Sequence, residues 1–399
     1  MSGMKANPGG LIAPNEVFGR DSLISQLWER LEQQSVVLSA ERRIGKTSII
    51  RKMKAEGRGK LVVYRDLENV GSPVEFAEVL LEDVEQYLSK FNQTARKARD
   101  FLRQLSGTEI SGGGVGVKVP SIAAPHWKRI VTATFEDLIE HQGDQVQIIL
   151  LWDKVPWMLQ KIAQKESQSI ATEVLDTLRS IRQTYATVRM VFTGSIGLHH
   201  VLDDFRASGY SNAATNDMYV VNVPALNAES AQSLAEELLR GGGFEFTDAD
   251  SRTKVAGAIA VAVDYVPFYI HHVVVRLKSC QYVDLEALAT VIEAALTDSQ
   301  DQWQLKHYYD RLKTYYGEED KYQYALGILD SLTEAAQPLT LNELMNRLQV
   351  QLGKNSDREL TRAVIDLLKR DHYLVQEGTQ YRFQFPLIKR YWQLSRGLV

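Results

Sequence analysis

The stretch "VVLSAERRIGKTSIIRKMK", residues 36–54, constrains this chain more than any other. An aliphatic run stops at Ala40, a short loop follows, and Gly45, Lys46 and Thr47 open a helical pattern. The pattern GxxxxGK[ST] describes a tight strand-to-helix turn whose free amides, lysine and hydroxyl surround phosphate oxygens. In that reading Lys46 reaches the β- and γ-phosphates and the Thr47 hydroxyl ligates Mg2+. Ala40 stands where the pattern has its first glycine, which tightens the turn without forbidding it. The plain alternative is a chance match in an ordinary strand-helix turn, and the strand-loop-helix context speaks against it.

Such a loop needs a parallel sheet, and residues 17–270 provide the pattern for one. The runs "SVVLSA" (35–40), "KLVVYRDL" (60–67), "QIILLWD" (147–153), "VRMVFTG" (188–194) and "YVVNVP" (219–224) are aliphatic without alternation. Strands buried on both faces read this way. Helical patterns lie between them, which predicts a doubly wound α/β domain with right-handed crossovers. With 399 residues, 44% of them hydrophobic, the chain can form two or three domains with substantial cores. A lone cysteine, Cys280, excludes an internal disulfide framework, suits a reducing cytoplasm and reads as a small core residue. No run reaches 18 apolar residues and the N-terminus has no apolar signal region, so a cytoplasmic protein with no membrane span is expected.

The pattern predicts a mobile N-terminal arm (1–15), a core (16–224) with a basic insert (90–129), a helical lid (225–300), a connector (301–320) and a C-terminal unit (321–399). The C-terminal order, three helices and then a hairpin turning at "EGT", is that of a winged helix. The insert carries eight Lys/Arg against two acids, a net of +6 inside a chain of net charge −4. Its "SGGG" reads as a hairpin or loop, and its basic helix is either a phosphate-contacting surface or a solvated face. The winged unit could use Arg358, Arg362, Lys369 and Arg370 on nucleic acid. Residues 301–399, however, hold fourteen basic and thirteen acidic residues, so a protein-contact role is favoured there.

"QIILLWD" ends in Asp153, about 110 residues after the loop, and so offers a carboxylate to Mg2+, through water or through Thr47. Helix capping is the alternative role. Lys154 follows, where an acid would orient the attacking water; a protonated lysine cannot accept a proton and repels Mg2+. Lys154 can pair with the γ-phosphate or with an acid such as Glu41, or it can face solvent while Glu166 or Glu173 does the work. Thr193 and Ser195 end the next strand, where a hydroxyl senses the γ-phosphate or caps a helix.

Together, "NEVFGRDSLISQL", "SAERRIGKTSIIRKM", "IILLWDKVPWML", "FTGSIGLHHVL", "VDYVPFYIHHVVVRLK" and "YRFQFPLIKRYW" resemble the prokaryotic STAND-type AAA+ ATPases, archaeal-ATPase-like branch, over residues 15–398. The resemblance implies an α/β P-loop AAA+ core with a parallel sheet, a helical lid and a C-terminal winged helix. It implies ATP/ADP and Mg2+ as ligands, with Phe18, Gly19 and Arg20 of "VFGR" near the adenine. Arg43, Ile44, Gly45, Lys46, Thr47 and Ser48 form the Walker A loop. Asp153 is the Walker B aspartate, with Lys154 replacing the catalytic glutamate, and Thr193 and Ser195 are sensor 1. Pro267 belongs to a GxP element in which Tyr265 replaces glycine, and Arg206 is the nearest candidate for an arginine finger.

These expectations combine into an ATP-binding switch with slow or impaired hydrolysis that controls a protein partner or effector, as in prokaryotic defence or signalling, with self-association through the core as a further expectation. A nucleic-acid-binding ATPase of the initiator or transposition-regulator type, using 90–129 or the winged helix, is one alternative. A nucleotide-independent scaffold is the other.

Overall fold

The computed structural model describes residues 3–89, 94–106, 118–119, 121–142, 146–194, 197–246, 249–280, 282–317, 319–353 and 356–398. Ser195 and the triple glycine at 112–114 lie outside them. The chain divides into two compact units, residues 22–39 with 49–222, and residues 1–21 with 40–48 and 223–399. Among the described residues no helix is long and apolar enough to cross a membrane.

The first unit is an α/β domain. Its elements are α1 (Asp21–Gln33), β1 (Ser35–Ser39), α2 (Lys46–Glu56), β2 (Leu61–Asp66), α3 (Pro73–Ser89), α4 (Arg96–Ser106) and α5 (Trp127–Gln142). There follow β3 (Ile148–Asp153), α6 (Val155–Lys165), α7 (Gln168–Thr184), β4 (Val188–Thr193), α8 (Leu198–Ala207) and β5 (Met218–Asn222). The five expected runs are the five strands, all paired in parallel in the order β2-β3-β4-β1-β5. β3 is buried at all six positions, which is why its sequence does not alternate. Its Trp152 stacks on Phe192 of β4 at 6.1 Å and meets Phe76 of α3 edge-on at 5.4 Å. These rings join the apolar layer between the sheet and α3, α5 and α7.

The second unit is built mainly of helices. They are α9 (Ala228–Gly241), α10 (Ala249–Ala262), α11 (Pro267–Leu277), α12 (Leu285–Leu296) and α13 (Lys306–Tyr315). The remainder is α14 (Glu319–Glu334), β6 (Leu339–Thr340), α15 (Leu341–Leu352), α16 (Arg358–Arg370), β7 (Leu374–Glu377), β8 (Gln380–Phe383) and α17 (Pro386–Arg396). Helix starts follow local chemistry: Asn227, Asp284 and Asp357 cap α9, α12 and α16, and Thr340 with Glu343 makes a capping box on α15. β7 and β8 form the hairpin through Gly378 (φ 59°), and β6 adds to β8 as a third antiparallel strand. The N-terminal residues lie along this unit: the Asn7 N–H donates to His271 Nδ1 of α11 at 3.1 Å.

Candidate functional site

The candidate residues fall into two groups, one in each unit. The first is the loop between β1 and α2. Gly45 has φ 103°, a conformation that side chains oppose, so the glycine of the motif is a backbone requirement. Lys46 opens α2, is buried, and its ammonium donates to the carbonyls of Ala40 (2.8 Å) and Glu41 (3.0 Å). Thr47 and Ser48 follow on the same helix turn, both half-buried.

Every residue from Glu41 to Ile44 is tied to another part of its unit. Arg20 is 4% exposed; it donates to the Ile44 carbonyl at 2.9 Å and to the Pro224 carbonyl at 2.8 Å. Burial lowers its pKa to about 10. Gly19 before it has φ 61°, and a Cβ there would meet the Ser230 side chain at 2.4 Å. The "VFGR" element, expected beside an adenine, thus braces the loop with its arginine, while Phe18 is half-buried. Arg43, at φ 71°, lays its guanidinium over the Phe268 ring at 4.4 Å and donates to Gln304 Oε1. Arg42 Nη1 lies 3.4 Å from His307 Nδ1.

Glu41 is 2% exposed and forms an ion pair with Arg311 of α13 at 3.2 Å. Arg311 also donates to the Asp371 carbonyl (2.5 Å) and the Tyr373 hydroxyl (3.3 Å), and its guanidinium stacks over the Tyr373 ring at 4.5 Å. Burial works against its charge, but Glu41, Tyr373 and Asp371 outweigh it and hold Arg311 well above the ordinary arginine range. Sequence reasoning missed Arg311, Gln304 and Asp371. The usable signal was a single arginine among the tyrosines of 308–316, where a surface connector would carry scattered charges.

Pro267 begins α11, after Asp264 and Tyr265 at φ 53° and 61°. Tyr265 therefore occupies a left-handed position that glycine adopts at lower cost, which accounts for a glycine in the resembling pattern.

The second group sits at the C-terminal ends of the parallel strands. Asp153 ends β3, is 3% exposed, and its Oδ1 accepts the Lys154 N–H at 2.9 Å. Thr193 ends β4, the strand beside β3; its Oγ1 is buried without a hydrogen-bond partner. An orphaned buried hydroxyl is costly unless something polar meets it. A buried carboxylate is the kind of hard oxygen donor that Mg2+ takes, so Asp153 by itself fits that ion chemically.

Lys154 stands at φ 64° as the residue before α6. Its ammonium pairs with Asp66 (3.2 Å) and with Glu68, the acids at the end of β2, where Asp66 is in register with Asp153. Burial lowers its pKa, but the hydrogen bonds to Glu68 and Asp66 win and hold it above the usual lysine range. Glu41, the acid expected to pair with Lys154, is engaged by Arg311; of the two acids expected to replace Lys154 in catalysis, Glu173 pairs with Lys128 at 2.7 Å and Glu166 follows the end of α6. Arg206 is largely exposed and pairs with Asp203 on its own helix at 2.8 Å.

Several of the described basic residues of 90–129 are matched by acids nearby. Arg99 pairs with Glu85, Lys97 with Glu140 (3.0 Å), Lys118 with Glu78 (3.1 Å) and Arg129 with Glu136 (3.0 Å). On α16, Arg362 pairs with Glu359 and Lys369 with Asp366. The sequence count of charges in these segments therefore overstates the field they present.

No protein-family model matches the chain, and no curated protein matches it. Solved structures do. The ORC2 protein of Aeropyrum pernix, in its ADPNP–ADP complexes, is similar over 98% of this chain and 96% of its own, with TM-score 0.52 and 12% identity. The Walker-type ATPase of Pyrococcus abyssi is similar over 95% of this chain and 97% of its own, with TM-score 0.63 and 16% identity. At such identities the likeness is one of fold alone, an α/β fold with a five-stranded parallel sheet, and it extends along nearly the whole chain.

Proposed function

We propose that the chain binds ATP and ADP with Mg2+ and acts as a slow nucleotide-dependent switch. The observation that carries this reading is the loop from Ala40 to Lys46: a parallel strand, a glycine at φ 103° and a buried lysine at the head of a helix. Backbone amides at such a helix start attract phosphate. Lys46 and Thr47 would take the phosphates and the ion, while Asp153 and Thr193 keep the roles expected of them from the sequence, ion ligand and phosphate contact. The ADPNP and ADP of the Aeropyrum protein support a nucleotide here as well.

Slow turnover is supported by Lys154. The position after Asp153 holds an ammonium bound to two acids, and such a group cannot take a proton from water. Nucleotide state would then persist long enough to govern a partner protein through the C-terminal helices and hairpin, which form a winged helix in this reading. The pairing of Arg99, Lys97, Lys118 and Arg129 with acids weighs against a nucleic-acid surface on the insert.

The test measures ATP binding and ATP turnover separately for the wild type, Lys46→Ala and Lys154→Glu. Binding weakened in Lys46→Ala, with turnover well under about one per second in the wild type, is expected; typical enzymes run at about 1–1000 per second. Fast wild-type turnover would sink the slow switch, and absence of nucleotide binding would sink the whole reading.

A further inference from the structure

Glu41 is held at two places at once. Its carbonyl accepts from the Lys46 ammonium at 3.0 Å, and its carboxylate pairs with Arg311 at 3.2 Å. Of the ties on residues 41–44, this is the ion pair buried at both ends, with side chains 2% and 7% exposed. Such a pair resists stretching, because a dry interior penalises either charge left alone. Arg311 continues the connection: it grips the Asp371 carbonyl and the Tyr373 hydroxyl, at the turn that ends α16 and leads into β7. The Tyr373 hydroxyl in turn donates to the Tyr308 carbonyl at 2.5 Å, and the Tyr316 hydroxyl to Asp371 Oδ2 at 2.9 Å. The loop, α13 and the root of the hairpin are therefore joined through buried polar contacts inside one unit.

Resting on the nucleotide-binding reading above, we propose that Glu41 and Arg311 couple phosphate binding to the placement of the β7–β8 hairpin. A polyphosphate competes with the carbonyls of Ala40 and Glu41 for the Lys46 ammonium. When the ammonium turns to phosphate, the backbone at Glu41 resettles, and Arg311 carries the change to Asp371 and Tyr373. Glu41 and Arg311 are positioning residues in this scheme, since neither touches the phosphate. The coupling is reciprocal: a partner that moves the hairpin alters nucleotide affinity by the same factor.

The experiment follows hydrogen exchange at the amides of residues 371–383 in the full chain, with and without ATP-Mg2+. It uses the wild type, Arg311→Met, Glu41→Gln and the double variant Glu41→Met with Arg311→Met. Nucleotide binding is titrated in parallel. In the wild type, ATP-Mg2+ is expected to change hairpin exchange by about 5-fold or more, the lower end of measured coupling factors. The variants are expected to bind ATP while their hairpin exchange no longer responds. A variant that binds ATP and keeps the full response overturns the proposal, as does a wild type that binds ATP with no hairpin response. A wild type that binds no nucleotide is recognised from the titration, and sinks the nucleotide reading together with the coupling that rests on it. The double variant guards against misfolding, since replacing both charges by apolar side chains leaves none stranded. A measurement on the wild type alone adds a control: adenosine, which has no phosphate, must leave the hairpin unchanged, and a response to it also overturns the proposal.

Discussion

Lys154→Glu is the substitution whose effect can be worked out most fully. Lys154 sits at φ 64°, a left-handed conformation that costs a side chain about 1–2 kcal/mol. Its ammonium lies 3.2 Å from Asp66, which corresponds to about 1.3 kcal/mol at the dielectric constant of water. Lys154, Asp66 and Glu68 are 28%, 39% and 51% exposed, so solvent screening and side-chain ordering reduce each pair to about 0.2–1 kcal/mol. Glutamate keeps the backbone penalty and turns two attractions into two repulsions, a predicted loss of about 1–3 kcal/mol at low ionic strength. Lys154→Gly loses the same pairs but sheds about 1 kcal/mol of left-handed penalty, and so is expected within about 1 kcal/mol of the wild type. Urea denaturation of the three proteins at about 0.02 M and about 1 M NaCl checks both statements, because the Debye length falls to about 3 Å at 1 M. The deficit of Lys154→Glu is expected to shrink at high salt. A deficit that ignores salt, or a glycine variant weaker than the glutamate one, would refute this account.

Other substitutions test other parts of the molecule. Lys46→Ala removes charge-assisted hydrogen bonds worth about 1.5–3 kcal/mol and is expected to weaken ATP binding about 10- to 150-fold; unchanged affinity in a calorimetric titration counts against the loop. Asp264 has its pKa raised to about 7 by burial, against the opposing Leu387 N–H at 2.7 Å. A carboxyl raised in this way burdens the fold increasingly from pH 4 to 7 and fully above 7. Asp264→Asn keeps the acceptor and tolerates φ 53°, so it should be the more stable protein at pH 8, with its advantage gone near pH 4. His271 is lowered to about 4, first by burial and then by His272, and it accepts the Asn7 N–H in its neutral form. The stability it contributes is present above pH 6.5 and lost as pH falls toward 4, so proteolysis of residues 3–12 should accelerate over that window, and less so in His271→Leu.

The strands were legible because a sheet covered on both faces admits unbroken aliphatic runs, and β3 is buried at every position. Their order was not. Placing β4 between β1 and β3 sets Thr193 at the end of the strand beside Asp153's, and that depends on pairings far apart in sequence. Asp153 could be found from its own strand, whereas the partners of Lys154 are Asp66, the last residue of β2, and Glu68 just after it, 86 residues earlier, and only register brings them alongside. The basic run at 96–103 misleads for the same reason: a window counts its arginines and lysines but cannot see Glu85 or Glu140. Arg311 lies in the segment the pattern marks as a connector, and only the fold sets the Tyr308 and Tyr373 rings against it.

The ties on the phosphate loop also set an order in time. Arg43 is held by a residue 261 positions downstream, and Glu41 by one 270 positions downstream. A ribosome adding about 5–20 residues per second needs roughly 15–55 seconds to cover that distance. Until then the nascent chain carries the complete GKT motif on a loop without its downstream braces. In the nucleotide reading proposed above, a firm hold on the ligand would thus wait until α13 has been made, and a chain released before α13 would display the motif without the brace from Arg311.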